Sequence, residues 1–240
     1  MASEKDLYQP SRVKALFDEM YQRYGVVNLI ASFGFTAIWR KVCVDKIKRQ
    51  DADLVLDLMT GMGETLPDIE DHFRQLGKIQ GIDFSHQMCI RARKNLENLN
   101  VAAEIIEADV FEVDILPGSA DVIVSTFGLK TFSPQQQREL AKQVDRLLKP
   151  NGEFSFVEVS VPKSPLLKLL YGFYMNHVIP NIGKICMGNP DNYRYLGIYT
   201  REYGNSQNFQ KELVKRGLNA TYFEHFFGCA SGVYGNKPKN

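Results

Sequence analysis

A glycine loop between two apolar runs constrains the fold of this chain more than any other feature. The first run ends at Asp57, Gly61 and Gly63 follow, and the second run ends at Asp83, 20 residues after Gly63. In parallel α/β proteins such glycines let the backbone approach a nucleotide, and a carboxylate about 20 residues further on binds ribose hydroxyls. A dinucleotide-binding loop would have a third glycine or an alanine where this chain has Leu66. The loop therefore favours S-adenosylmethionine (SAM), which has no phosphate, over a dinucleotide.

The rest of the chain alternates strand-like apolar runs with helical patterns. Strands are predicted over residues 53–58, 79–83, 104–109, 121–126 and 153–159. Ser85 and Ser133 are placed to cap the helices that follow them, and the Lys-Pro-Asn-Gly segment at 149–152 predicts a turn. Strands that alternate with helices of about 10–15 residues predict an α/β fold with a doubly wound, mostly parallel, Rossmann-like sheet.

The length of 240 residues suits one domain with appended elements. Apolar residues have a helical spacing from Ser11 to Tyr24, before the first strand. After the last parallel strand, a helix near 207–216 and one final strand near 220–227 are predicted to close the sheet. We therefore predict a helical cap over residues 1–50 and a SAM-binding core over residues 51–159. A substrate lid insertion is predicted over residues 160–206, and a C-terminal helix and strand over residues 207–240.

Composition excludes several classes of partner. The 29 Lys and Arg against 28 Asp and Glu give a net charge of +1, and no basic run that would bind nucleic acid is present. The four cysteines are scattered without a C-x-x-C pair, so no metal site and no disulfide framework are predicted. The most apolar segment, Leu166–Ile179, is shorter than the roughly 20 residues of a membrane span, which leaves at most peripheral membrane contact. The start of the chain has no signal or transit pattern and indicates a cytoplasmic protein.

The predicted cofactor residues all follow strands. In an open parallel sheet, ligands bind beyond the carboxyl ends of the strands, where the strand order reverses. There Asp83 is placed to accept hydrogen bonds from ribose hydroxyls and Asp109 from the adenine amino group, while Met88 packs beside adenine. Each group alone is typical of a turn or a helix cap, but their recurrence at successive strand ends points to one SAM site. The predicted set is Asp57, Gly61, Met62, Gly63, Asp83, Met88, Asp109, Val110, Ser125 and Thr126.

Four further segments carry a resemblance to a known family. They are the stretch from Leu16 to Arg40, then Phe127–Lys130, Asn176–Gly183 and Tyr193–Leu196. On these segments the chain resembles the UbiE-type C-methyltransferases, which methylate the ring of ubiquinone and menaquinone precursors. The last two segments are more specific than the glycine loop, which class I methyltransferases share in some form. The resemblance runs from about Leu16 to Phe227 and also implies a homodimer.

The resemblance carries the family's cofactor residues onto this chain with two changes. Asp83 matches directly, and the Asp109-Val110 pair keeps the hydrogen-bonding capacity of the family's residues. Met62 stands where the family has threonine, and Thr126 stands where it has serine. SAM is therefore also the cofactor that the resemblance implies.

Departures from the family are larger on the substrate side. Gly25 and Leu29 stand where the family has aspartates, and Lys130-Thr131 replaces Arg-Asn after the Phe-Gly-Leu segment. A lysine offers a point charge rather than the planar fork of an arginine. The resemblance thus predicts a retained scaffold and cofactor with a changed acceptor.

Candidate catalytic residues follow from the chemistry of methyl transfer. Displacement at a sulfonium needs an aligned, desolvated nucleophile, and methylation of a phenol-like ring carbon also needs a base or a group that holds the phenolate. His177 is the first candidate base because imidazole titrates near neutral pH, and Lys130 is a candidate for stabilising an oxyanion. Glu158 is either a second base or a structural cap. The candidates for orienting or charge-stabilising the acceptor are Tyr24, Tyr193 and Arg194.

The sequence predicts a SAM-dependent methyltransferase that acts on a small, largely apolar acceptor, with ring carbon as the favoured target. Two alternatives stay open at this point. One is O- or N-methylation of a natural-product intermediate on the same scaffold. The other is a degenerate methyltransferase fold that binds SAM or the acceptor in a pericyclase-like or partner role.

Overall fold

The computed structural model describes residues 7–31, 34–178, 181 and 190–239 of the chain. Its strands are β1 (Asp51–Leu58), β2 (Gln75–Asp83), β3 (Ala102–Glu107), β4 (Ala120–Thr126), β5 (Leu148–Val159), β6 (Asn219–His225) and β7 (Ala230–Asn236). They form one sheet in the order β3-β2-β1-β4-β5-β7-β6. Strands β1 to β5 run parallel, and β7 pairs antiparallel with both β5 and β6. The chain order of the strands reverses between β1 and β4, which is where ligands bind in doubly wound sheets.

Eight helices surround the sheet in the part of the chain described above. They are α1 (Pro10–Ala31), α2 (Phe35–Val44), α3 (Leu66–His72), α4 (His86–Leu96), α5 (Pro134–Leu147), α6 (Pro165–Phe173), α7 (Pro190–Tyr203) and α8 (Gln207–Lys215). Short helical turns follow β4 at Leu129–Thr131, α6 at Tyr174–Val178 and β6 at Phe226–Gly228. None of the helices in the described ranges is long and apolar enough to cross a membrane.

Two of the helices, α4 and α5, begin where a serine side chain accepts a hydrogen bond from a free backbone N–H group. The Ser85 hydroxyl accepts a hydrogen bond from the Met88 N–H at 3.3 Å and caps α4. Ser133 and Gln136 form a reciprocal capping box at the start of α5, with Pro134 in the first turn. Both caps agree with the sequence patterns.

Two hydrophobic layers cover the two faces of the sheet. One layer contains Leu140 and Val144 of α5 and Phe209 of α8, and the other contains Cys43 of α2 and Ile69 of α3. A third, smaller cluster joins α1 to α7 and brings together Leu7, Tyr8, Val13, Leu16, Met20, Leu196 and Tyr199. The fold is therefore the predicted doubly wound α/β sheet, with the N-terminal helix packed on the helix that precedes α8.

The end of the sheet differs from the prediction. One final strand was expected near 220–227, but β6 ends at His225 and a second strand, β7, lies between it and β5. Strand β7 contains Gly232 and Gly235, which weaken the strand pattern in the sequence. A Cβ atom at Gly232 would overlap the Phe156 carbonyl oxygen and the Phe223 ring, so the glycine allows three strands to pack closely.

The turn predicted at 149–152 is part of β5 instead. Ala120 pairs with Leu148 and Val122 pairs with Glu153, so the register of β5 against β4 shifts between these pairs. Asn151 has a φ of 61°, the left-handed conformation that the Asn-Gly pattern indicates. The segment is thus an irregularity within a strand rather than a turn between two elements.

Candidate active site

A cleft opens at the carboxyl ends of the strands, around the point where the strand order reverses. Two groups of residues, which belong to different elements of the fold, line this cleft. The polar wall consists of residues 59–62, 64, 65, 82–84, 88 and 108–110, which lie at or after the ends of β1, β2 and β3. The aromatic wall consists of Tyr8, Pro10, Val13, Phe17, Phe111, Phe127, Gly128, Thr131, Phe132 and Gln136.

Asp83 is the central carboxylate of the polar wall and is buried. Its Oδ2 accepts a hydrogen bond from the Gly61 N–H and its Oδ1 from the Ser85 N–H, both at 2.9 Å. Burial raises the pKa of Asp83 to about 6, and the two backbone N–H groups act in the opposite direction. The carboxylate is thus held in a fixed orientation at the cleft and is ionised above pH 6.

The glycine loop has the conformations that only glycine adopts readily. Gly61 and Gly63 have φ values of 56° and 75°. A Cβ atom at Gly61 would meet no atom within 4 Å, and Gly61 lines the cleft, so the backbone is open to a ligand there. A Cβ atom at Gly63 would lie 2.9 Å from Leu66 Cδ1, so this glycine allows the loop to pack on the start of α3.

A buried apolar patch lies next to Asp83 on the polar wall. Met62, Met88 and Val110 are each at most 8% exposed and line the cleft together. Asp109 lines the same part of the cleft, and its Oδ1 accepts a hydrogen bond from the Phe111 N–H at 3.0 Å. An apolar slot beside a carboxylate has the chemistry to receive a flat heterocycle with an amino group.

Three of the predicted cofactor residues lie behind the cleft surface. Asp57, Gly63 and Ser125 do not line the cleft, although Asp57 and Ser125 are almost completely buried beside it. Asp57 Oδ2 accepts a hydrogen bond from the hydroxyl of Thr60, which does line the cleft, at 2.5 Å. Burial raises the pKa of Asp57 to about 7. Asp57 therefore supports the loop from below.

Thr126 lines the cleft where β4 ends, and its hydroxyl lies 2.7 Å from the Thr65 hydroxyl. This bond explains why Thr65, which the sequence places at the start of α3, makes no side-chain cap there. Of the predicted cofactor set, the cleft brings together Gly61, Met62, Asp83, Met88, Asp109, Val110 and Thr126.

Two charged residues of the cleft were missed by the sequence reasoning. Arg40 of α2 and Glu64 both line the cleft, and their side chains form an ion pair with an N–O distance of 3.6 Å. Arg40 stands in the N-terminal segment of the resemblance and Glu64 directly follows the glycine loop, so both positions carried a signal. Together they present a cation and an anion to one ligand.

The aromatic wall was also missed, because it combines residues of the N-terminal part of the chain with residues between 111 and 136. Tyr8, Val13 and Phe17 are brought to the cleft by α1 and the turn before it, and the Phe111 and Phe132 rings meet edge to face at 5.4 Å. The Gln136 amide donates a hydrogen bond to the Tyr8 carbonyl at 3.1 Å. The wall thus joins residues far apart in sequence.

The predicted lid contributes to this wall only indirectly. None of the described residues of 160–206 lines the cleft. Instead, the Tyr199 hydroxyl of α7 donates to the Leu7 carbonyl at 2.6 Å, and its ring lies 5.9 Å from the Tyr8 ring. Helix α7 therefore supports α1, which in turn lines the cleft.

Three of the predicted catalytic residues, His177, Lys130 and Arg194, do not line the cleft. The His177 side chain is exposed, its ring lies 5.0 Å from the Phe173 ring, and both border a separate shallow depression with Lys168. Lys130 is buried behind the aromatic wall in an ion pair with Glu158, and Arg194 is exposed. The side chains of Tyr24 and Tyr193, and half of the Asn176–Gly183 segment, lie outside the described residues.

Within the described ranges, no three His, Cys, Asp or Glu side chains cluster in a way that could hold a metal ion. The cleft therefore offers a buried carboxylate, an open backbone loop, an apolar slot and one ion pair, facing aromatic side chains. These groups fit a nucleoside with an amino-acid end, because each part of such a molecule meets a group of matching chemistry.

Comparison with known proteins identifies the chain. Residues 5–237 match the ubiE/COQ5 methyltransferase family. The chain belongs to this family. It is a SAM-dependent methyltransferase, and the cofactor predicted from the glycine loop is confirmed.

Members of the family with curated names match the methyltransferase along nearly its whole length. The demethylmenaquinone methyltransferase of Alkalihalophilus pseudofirmus is 26% identical, over 95% of this chain and 97% of the relative. The ubiquinone/menaquinone biosynthesis C-methyltransferase UbiE of Geotalea uraniireducens is 29% identical, over 94% of this chain and 96% of the relative. Human N-acetylserotonin methyltransferase, solved in complex with SAM, shares the fold with a TM-score of 0.61 and 16% identity, over 93% of this chain and 59% of the human one.

Proposed function

We propose that this methyltransferase binds SAM on the polar wall and methylates a ring carbon of a small, largely apolar, quinol-like acceptor on the aromatic wall. The observation that carries the proposal is that both walls face one cleft at the strand ends. The names of the two curated relatives support it, since both describe quinone methylation. When bound, SAM supplies an electrophilic methyl group.

The polar wall has a group for each part of the cofactor. Asp83 would accept hydrogen bonds from the ribose hydroxyls, and Asp109 would accept one from the adenine amino group above the slot of Met62 and Val110. Because Gly61 has no side chain, the backbone of the loop could approach the amino-acid end of SAM closely. Arg40 and Glu64 would meet the carboxylate and the ammonium of that end, because they carry the opposite charges at the same cleft.

The aromatic wall would hold a flat ring and keep water from it. Val13, Phe17 and Phe132 offer apolar surface, and aromatic rings prefer offset or edge contacts with one another. Exclusion of water leaves the ring carbon as a desolvated nucleophile, which favours displacement. Among the described residues of this wall, Tyr8 is the one with an ionisable side chain, and we propose that its hydroxyl holds a ring oxygen of the acceptor.

Changes from the family at Gly25, Leu29 and Lys130 support an acceptor whose ring substituents differ from those of the named relatives. The structure adds a reason at Lys130: its ammonium faces Glu158 and the Phe127 carbonyl rather than the cleft. An acceptor would therefore meet a less charged wall than an arginine in the cleft would provide.

The test is methyl transfer from SAM labelled with ¹³C in the methyl group to 1,4-naphthoquinol, kept reduced. We expect a product that is heavier by one methyl group, with the label bonded to a ring carbon by NMR. Asp83→Ala serves as the matched control that should give no product at low SAM concentration.

Label on oxygen or nitrogen would replace the carbon assignment with O- or N-methylation. Absence of transfer to naphthoquinols, benzoquinols and simple phenols would contradict the acceptor class. Binding of SAM is measured separately by isothermal titration calorimetry. If SAM binds without methyl transfer, the acceptor assignment is wrong, whereas loss of SAM binding would contradict the cofactor site.

A further inference from the structure

A buried ion pair lies directly behind the aromatic wall. Lys130, in the turn after β4, and Glu158, near the end of β5, have side chains that are 5% and 0% exposed. Removing two charges from water is unfavourable and is not repaid automatically by their attraction. The proposed function does not use this pair, so its position needs an explanation of its own.

Glu158 holds Lys130 both by its side chain and by its backbone. Its Nζ donates to Glu158 Oε1 at 2.7 Å, and its backbone N–H donates to Glu158 Oε2 at 3.0 Å. The same Nζ also donates to the Phe127 carbonyl at 3.1 Å. Glu158 therefore holds the turn from Phe127 to Thr131 through a single residue.

Glu158 is committed to these contacts. Besides the two hydrogen bonds from Lys130, its Oε1 accepts one from the Val159 N–H at 2.7 Å. It does not line the cleft. A carboxylate that is completely buried and accepts three hydrogen bonds is an anchor, which resolves the sequence alternative of base or structural group in favour of the latter.

The turn that Glu158 holds has an unfavourable backbone conformation. Phe127 has a φ of 64°, which a non-glycine residue adopts only when its surroundings impose it. Its N–H donates to the Val157 carbonyl at 2.9 Å and its carbonyl accepts from Lys130, so both sides of the residue are held. Phe127 lines the cleft, and strained residues of this kind cluster at binding sites.

A second non-glycine residue with a positive φ lies opposite this turn, after β1, which is the neighbour of β4 in the sheet. Met59, which follows β1, has a φ of 55° and lines the cleft. A Cβ atom at Gly128 would lie 2.7 Å from Met59 Cβ, so the turn fits against Met59 with no room to spare. A small movement of the turn therefore changes the shape of the cleft.

We propose that Glu158 is a positioning residue that acts through Lys130 to hold Phe127 and the turn after it, and so sets the acceptor-binding shape of the aromatic wall. The proposal rests on the proposed function in one respect, namely that the aromatic wall receives the acceptor. The cofactor is held by the polar wall, so loss of the pair acts on the acceptor and not on SAM.

The test compares the wild type with the double variant K130M/E158Q. This variant removes both charges and avoids leaving one of them buried without a partner, which would itself unfold the site. The matched control is K78M/E104Q, which removes an exposed ion pair of the same residue types, with an N–O distance of 2.7 Å. If K130M/E158Q is too unstable to purify, the double variant K130Q/E158Q, which also removes both charges, is measured by the same methods.

Three measurements separate positioning from general stability. We expect the KM for 1,4-naphthoquinol to rise about tenfold in K130M/E158Q, with the Kd for SAM within a factor of two of the wild type. The chain has a single tryptophan, and the Trp39 ring lies 6.4 Å from the Phe127 ring. Trp39 fluorescence should therefore shift in the variant without ligand, and its response to the naphthoquinol should weaken. K78M/E104Q should show none of these changes.

An unchanged acceptor KM in a folded variant would overturn the proposal, as would an equal loss of SAM and acceptor affinity. If the wild type does not methylate the quinol, the proposed function fails. The Trp39 signal and the Kd for SAM still test the positioning role: a shifted signal with retained SAM binding supports it, and an unshifted signal overturns it.

Discussion

The two walls of the cleft are built in different ways. The polar wall consists of short segments that directly follow β1, β2 and β3, so the sheet itself fixes where Gly61, Asp83 and Asp109 lie. The aromatic wall joins the turn before α1 to residues that follow β3 and β4, and only helix packing brings Phe17 near Phe132. Under the proposed function, cofactor binding depends on topology, whereas acceptor binding depends on the packing of one helix and one turn.

The largest expected effect is on the polar wall. Asp83→Ala should weaken SAM binding by about 10- to 100-fold, because loss of a hydrogen bond to a charged group typically costs about 1.5–3 kcal/mol. Isothermal titration calorimetry at pH 8, where the carboxylate is ionised, measures the change. Asp114→Ala, at an exposed position, is the control and should bind SAM as the wild type does. Normal binding by Asp83→Ala would place the ribose elsewhere.

The next effect should fall on the aromatic wall. Gly128→Ala places a Cβ atom 2.7 Å from Met59 Cβ, so the turn must move. We expect kcat/KM for the naphthoquinol to fall about tenfold, since small misplacements of positioning groups reduce rates strongly. Affinity for SAM should change little.

The control for this prediction is Met59→Gly/Gly128→Ala, compared with Met59→Gly alone. Removal of the Met59 Cβ makes room for the new methyl group, so the alanine should have little further effect in that background. Equal losses in both backgrounds would show that the contact with Met59 is not the cause.

A smaller effect concerns stability rather than binding. The pKa of Asp57 is raised by burial to about 7, from 3.8 in the unfolded chain. Between about pH 4 and 7 the native state therefore holds more protons than the unfolded state, and the free energy of unfolding falls as pH rises. Asp57→Asn should reduce the difference in bound protons between the native and unfolded states by about one. The fall in the free energy of unfolding with pH should therefore be less steep by about 1.4 kcal/mol per pH unit.

Urea denaturation without SAM at pH 5, 6 and 7 measures that slope. Asp114→Asn should leave it unchanged, because this carboxylate is exposed. A slope in Asp57→Asn equal to that of the wild type would mean that Asp57 is already ionised when buried. The variant should also bind SAM far better than Asp83→Ala, since Asp57 lies behind the wall.

The smallest effect is expected at His177. Its exposed side chain beside Phe173 is not part of either wall in the described structure, so His177→Ala should leave kcat within a factor of two. Turnover of the naphthoquinol, with SAM affinity measured separately, tests this. A loss of kcat above tenfold with unchanged SAM binding would restore His177 as the base and require the region after α6 to reach the cleft.

Seven of the ten predicted cofactor residues line the cleft, because most of them lie at or directly after the end of a recognisable strand, whereas Arg40 and Glu64 were missed. Asp83 and Asp109 could be placed together from strand order alone. Phe17 and Tyr8 could not, since helical spacing in α1 predicts a buried face but not what that face covers. Strand β7 was missed because its glycines weaken the strand pattern in the sequence. The ion-pair partner of Lys130, Glu158, lies 28 residues further along the chain on β5, and no local pattern indicates such a pairing.

Helix α1 touches both walls at once. Asp18 accepts hydrogen bonds from the Ser85 hydroxyl at 2.5 Å and from the Gln87 N–H at 3.2 Å, at the start of α4 beside Asp83. The same helix places Val13 and Phe17 in the aromatic wall. A ligand that alters the docking of this helix alters the affinity of the other ligand by the same factor, since thermodynamic linkage is reciprocal. We therefore expect SAM to change the affinity of the protein for its acceptor, and the acceptor to change the affinity for SAM, through this one helix.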